Sequence, residues 1–148
     1  MAPLRQTSQI PDNVHLELAP MDHDPRCRDN SYTTIYIPLV AIVEGGVCFP
    51  LHELLCRCLE YYRLCPMQCK PNFFRVVMGT AALNRILGAN LGVFDIQHLY
   101  SICPAIYGAY YLKARSGSRR LVTDLPDGSK GSTKDFLIVT GNCLARDE

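Results

Sequence analysis

His52, Cys56, Cys65 and Cys69 stand close together in the chain, in the order H-x3-C and C-x3-C. Zinc takes four nitrogen or sulfur ligands in a tetrahedron, mostly from closely spaced pairs. On a helix His52 and Cys56 would lie one turn apart on the same face, so the stretch can be read as a metal site. Cys58 would not join it, because two positions along a helix its side chain points elsewhere. The competing explanation is burial. A free cysteine packs as a small hydrophobe, and Cys58 falls in helical register with Leu51, Leu55 and Tyr62. A Cys–His nucleophile would need its base oriented beside the thiol, and no spacing around the four histidines singles one out.

Other catalytic patterns are absent. The chain has no G-x-G-x-x-G, no Walker A loop and no H-E-x-x-H. The stretch GSKGSTK at 128–134 carries the residues of a phosphate loop in the wrong order, and reads as a plain loop. Carboxylates are scattered, with Asp12, Asp22, Asp24 and Asp29 early and Asp124, Asp127 and Asp135 late. Two-metal phosphoryl chemistry needs them clustered on rigid elements. No catalytic residue and no cofactor is therefore expected.

A second group of residues points to binding. Lys113, Arg115, Arg119, Arg120, Lys130 and Lys134 face only Asp124 and Asp127 over that window, with Tyr107, Tyr110 and Tyr111 close by. Cations mixed with aromatics suit single-stranded nucleic acid, where the charges neutralise phosphates and the rings stack on bases. Tyr110 and Tyr111 would be the stacking surface. The alternative is a solvated hairpin whose charges protect an edge strand from aggregation.

The elements that must position these residues follow from pattern. The chain has 148 residues, 48% hydrophobic and 20% charged, enough for one folded domain. The formal net charge of +1 means that any basic surface is local. Residues 1–30, with Pro3, Pro11, Pro20 and Pro25, read as a loosely ordered arm with one short strand at 14–18. Residues 31–143 read as a single domain and 144–148 as a tail. Residues 35–44 can be read as a strand, which their β-branched residues favour, or as a short helix with Pro38 in its first turn and Gly45 and Gly46 ending it, and the helix is preferred. Helices are expected at 50–62 with Pro50 in its first turn, at 72–87 capped by Asn72 and stopped by Gly88, and at 92–103. Strands are expected at 105–116 and 119–125, joined by a turn at Gly117 and Ser118, and at 134–142. The expected class is α+β, with three to four N-terminal helices followed by a small antiparallel three-stranded sheet. No apolar stretch approaches the length that spans a bilayer, and no secretory signal opens the chain, so an intracellular protein of nucleus or cytoplasm is expected.

The order of these segments resembles the plant gypsy-type transposon protein family. Phe49, Pro50, Leu51 and His52 match the opening of a run that continues through Leu59, Glu60, Tyr61, Tyr62 and Leu64. Pro66, Gln68, Pro71, Asn72, Arg75 and Gly79 match the following turn and helix. Tyr110, Tyr111, Ala114 and Arg115 match a strand, and Leu121, Val122, Leu125, Pro126, Lys130 and Gly131 match a loop. The resemblance spans residues 36–140. The family's tryptophans are replaced, by Phe73 or Phe74, by Ala109 and by Ser132, so the chain looks like a divergent member. Cys56, Cys58, Cys65 and Cys69 fall where the family carries ordinary residues, which favours burial over a shared zinc site. The resemblance implies descent from a long-terminal-repeat retrotransposon and a non-enzymatic module. Its expected partner is DNA or RNA. The alternative is a protein partner or a second copy of the chain, docking on the helix face 51–62 or on a sheet edge. Neither a membrane nor a small-molecule substrate is expected.

Overall fold

The computed structural model describes residues 2–19, 34–117, 119–123, 125 and 135–143. The chain runs through α1 (Ala2–Ser8), β1 (Val14–Leu18), β2 (Ile35–Pro38), α2 (Leu39–Val43), α3 (Glu53–Tyr62), α4 (Pro71–Leu87), α5 (Val93–Leu99), β3 (Tyr100–Pro104), β4 (Tyr110–Ala114) and β5 (Phe136–Gly141). Short 3-10 turns occupy Pro66–Gln68 and Ile106–Gly108. The class is α+β, but strands and helices are interleaved.

Three strands form an antiparallel sheet in the order β1-β5-β2, and β3 and β4 form a separate antiparallel ribbon. The expected C-terminal three-stranded sheet is therefore corrected. β5 is apolar at consecutive positions, and Phe136, Leu137 and Val139 are all buried. Such a strand needs apolar neighbours at both edges. The basic segment after β4 cannot supply them, whereas β1 and β2 can. Val139 lies between Leu16 and Ile35, and Leu137 between Leu18 and Ile37. The described part of the N-terminal arm thus contributes the strand that its alternation predicts, preceded by α1. The Arg5 guanidinium donates to the carbonyls of Pro11 and Val14, tying α1 to the start of β1.

Residues 35–44 split rather than forming one helix. The β-branched start pairs with β5, and Pro38 becomes the extended residue that caps α2 instead of entering its first turn. α3 begins at Glu53, three residues after its expected start, with His52 as its cap, so Pro50 lies outside the helix. Its apolar stripe is buried at Leu54, Leu55, Cys58 and Leu59, each leucine stabilising the fold by about 1.5–3 kcal/mol. Pro71 takes the first position of α4, so the expected cap Asn72 sits inside the first turn. There it is buried, and its Oδ1 accepts from Arg75 Nη1 at 2.8 Å. α4 ends at Gly88, whose φ of 62° supplies the left-handed cap.

The segment 92–103 is half helix and half strand. α5 stops at Leu99 and Tyr100–Pro104 pairs with β4, Ile102 opposite Leu112. The predicted partner strand at 119–125 carries no strand among its described residues. Its backbone donors are taken elsewhere: the Tyr100 hydroxyl accepts from the amides of Leu121 and Val122 at 3.0 and 3.2 Å. The predicted loop beyond residue 125 lies outside the described residues.

Gly45 follows α2 where that helix touches α4. A Cβ there would meet the Ala41 carbonyl oxygen at 2.5 Å and Phe74 Cβ at 2.7 Å. Neither neighbour can swing away, so Gly45→Ala should destabilise the fold by about 1–3 kcal/mol. Urea unfolding should show a lower midpoint with an unchanged slope. An unaltered midpoint would mean that α2 and α4 are not held this closely.

Candidate nucleic-acid interface

Strand alternation divides the predicted binding residues. Leu112 is buried, so Tyr110 and Ala114 share its inward face, while Tyr111 and Lys113 lie on the outer face opposite Cys103 and Ser101. Tyr110 is further tied down by its carbonyl, which accepts from the Lys70 amide at 2.8 Å. Tyr110 and Tyr111 are both partly buried, so neither offers a fully open ring. Tyr107 is fully exposed, but it sits in the turn at the opposite end of the ribbon from Arg115.

The cations lie close together in the chain and are open to solvent where they are described. Lys113, Arg115, Arg119 and Arg120 are all exposed. Among the described residues no ion pair occupies Lys113, Arg119 or Arg120. Arg115 is fastened to the end of α5. Its amide donates to the Leu99 carbonyl at 2.9 Å, and its Nε and Nη2 donate to the Gln97 carbonyl at 3.2 and 3.1 Å. The far end of the basic segment is held by Tyr100, as above. Val122 then rests on α4 at Gly79, where an added Cβ would come within 2.5 Å of Val122 Cγ2. The segment 115–122 is therefore anchored at both ends while its arginines face outward. Lys130 and Lys134 lie outside the described residues, as do Asp124 and Asp127.

Sequence pattern did not single out Tyr100 or the Gln97 carbonyl. One is an apolar-face residue by spacing and the other is backbone. It also passed over two exposed rings, Tyr61 on α3 and Phe94 on α5, whose centroids are 5.9 Å apart. The remainder of the α3 face proposed for partner docking is in the core.

The suspected zinc ligands are engaged separately. His52 Nδ1 accepts from the Leu54 amide at 3.1 Å as the cap of α3. Its ring proton is thereby placed on Nε2, so ligating a metal or taking a proton through Nε2 would require giving up the cap. Cys65 Sγ and its own amide both donate to Gln68 Oε1 at 3.0 Å, and Cys69 Sγ donates to the Cys65 carbonyl at 3.6 Å. The C-x3-C pair thus closes a 3-10 turn. Among the described residues no three His, Cys, Asp or Glu side chains are grouped to hold a metal ion. Burial pushes the Cys58 thiol up to about 12. Burial also raises Cys69, with Cys65 and Cys58 adding to the shift.

A cleft of about 530 Å³ is lined by residues of α4, the turn after α2, Val122 and Leu125, among them Glu44, His52, Arg75 and Arg85. Two of its charged groups are committed to each other. Arg75 Nη2 pairs with Glu44 Oε2 at 2.8 Å, while Nη1 holds Asn72. Among the described residues no helix is long and apolar enough to cross a membrane.

Tyr100→Phe removes the acceptor of two amides, and should cost about 1–3 kcal/mol. Hydrogen exchange should accelerate at Leu121 and Val122 more than in β5; equal acceleration would show that the hydroxyl does not hold the segment. Thiol labelling at neutral pH should modify exposed Cys48 and Cys65 before buried Cys58 and Cys69. A raised thiol pKa in the fold means that stability holds below the ordinary value of 9.0 and falls as pH climbs towards about 12. Rapid native labelling of Cys58 would contradict its burial. Comparison with protein-family models, with curated proteins and with solved structures finds no match for this chain.

Proposed function

We propose that this chain is a non-enzymatic, retrotransposon-derived module that binds nucleic acid through the outer side of β4 and the segment that follows it. The observation that carries this reading is the exposed, anchored run of Lys113, Arg115, Arg119 and Arg120. Anchoring lowers the ordering cost of binding, because the backbone that presents the charges is already held. A local cationic surface on a chain of net charge +1 attracts a polyanion without making the whole protein sticky. Affinity then comes from counterion release and carries little sequence preference. The resemblance to gypsy-type transposon proteins supports the origin, since its matched positions include Tyr111 and Arg115 of this same surface.

Fluorescence anisotropy with labelled single-stranded and duplex DNA and RNA tests the proposal. With three or four phosphates neutralised, the logarithm of affinity should fall with the logarithm of salt at a slope of about −2 to −3 on single strands. The variant carrying Lys113→Glu, Arg119→Glu and Arg120→Glu should bind at least about tenfold more weakly and with a shallower slope. These side chains make no hydrogen bond to a described residue, so thermal stability should stay near that of the parent. An absence of binding at low salt would remove the reading.

A further inference from the structure

We propose that the exposed ring pair of Tyr61 and Phe94, with Arg115 beside it, is the stacking ledge on which unpaired bases of a bound single strand rest. The inference depends on the nucleic-acid reading above and names where that surface takes the bases.

Four observations meet at this place. Tyr61 and Phe94 are 46% and 74% exposed, so both rings offer surface to a partner. Their rings already contact each other edge to face, at 5.9 Å and 78°. Tyr61 in turn meets Tyr62 at 5.0 Å, and Tyr62 meets buried Phe73 at 6.1 Å, so the ledge is braced by the core. Finally, the Arg115 guanidinium is bound to Gln97, one helical turn after Phe94 on α5.

Arg115 thereby links the ledge to the basic segment. Its positive charge also reaches Tyr62, where burial pushes the phenol up to about 12 and Arg115 opposes the shift. A strand whose phosphates follow residues 113–120 would bring its bases towards α5. Stacking accepts any base, because every base has a π-face, and Arg115 adds a cation–π and phosphate contact. The nearby Asp95 carboxylate accepts from the Gly92 amide at 2.8 Å as part of the α5 cap and keeps its negative charge, so a bound phosphate must keep to the Arg115 side of the rings. The Arg115 guanidinium at the end of α5, with the exposed Lys113, Arg119 and Arg120 of the same stretch of chain, favours a polyanion over an apolar protein surface as the occupant, against the exposed Glu60 and Asp95 next to the rings. Duplex DNA hides its base faces, so the ledge should favour single strands.

The test measures binding of labelled oligothymidylate and of a duplex of equal length by anisotropy, across salt concentrations. It compares the parent chain, the Tyr61→Ala/Phe94→Ala variant, the Phe94→Trp variant and the charge variant described above. The double alanine variant should bind the single strand at least about tenfold more weakly with an unchanged salt slope, since stacking is lost and phosphate contacts remain. Phe94→Trp should bind at least as well as the parent, and quenching of tyrosine emission on binding should diminish when Tyr61 is removed. If the double alanine variant binds like the parent while the charge variant fails, the ledge is overturned and the nucleic-acid reading stands. If the parent itself does not bind, both are overturned. Concentration-dependent self-association of the parent that the alanine pair abolishes, with nucleic-acid affinity untouched, would overturn the ledge in favour of a contact between copies.

Discussion

Burial of the first half of α4 organises this protein. Phe73, Phe74, Val76, Val77, Thr80 and Ala81 are all buried, so that helix must be covered on nearly every side through its first three or so turns. α2, α3 and β4 each pack against it. Close approach is part of the arrangement: Gly45 lets the end of α2 reach Phe74, and Gly79 lets Val122 settle on the helix surface. The polar residues inside this packing are satisfied locally, Thr80 by donating to the Val76 carbonyl at 2.8 Å and Asn72 by accepting from Arg75. Where α4 emerges from its cover, Ile86 and Leu87 become exposed, and the helix soon ends.

From that core the basic segment is reached through a few directional contacts. Tyr100 is buried at the junction of α5 and β3, and its hydroxyl holds the backbone of Leu121 and Val122. Arg115 holds the last turn of α5 from the other side. These contacts replace the strand pairing that would otherwise order a segment of this composition. They explain how exposed arginines can be presented on a fixed backbone without a sheet beneath them. A guanidinium suits the role at 115, because two of its donors can grip one carbonyl while the charge remains in solvent.

Cys58, Cys65 and Cys69 belong to the packing and turn geometry. Cys58 and Cys69 are buried, and the hydrogen-bonding capacity of Cys65 and Cys69 closes the turn between α3 and α4. His52 performs the cap that a serine or aspartate usually supplies. One ring nitrogen then has a fixed task, and the spacing that suggests a ligand is the spacing of a helix start.

Much of this was legible in the residues themselves. The apolar period of 54–59, the long apolar run that makes α4 central, the Gly88 stop, the alternation of 14–18 and the apolar block of β5 all report local preferences that the fold respects. The four described cations and their closeness were equally plain from composition. What the sequence could not determine was which segments pair. β5 took β1 and β2 because sheet edges are chosen by apolar match across long separations, and no local pattern encodes a partner more than a hundred residues away. The segment 119–123 has the composition of a strand, yet its amides went to a tyrosine hydroxyl that only tertiary packing brought near. Likewise Tyr110 and Tyr111 share a motif but face opposite sides of a ribbon, while Tyr61 and Phe94, far apart in the chain, stand together in the open. Local sequence sets the period of each element; the competition for cover among all of them decides which faces remain for a partner.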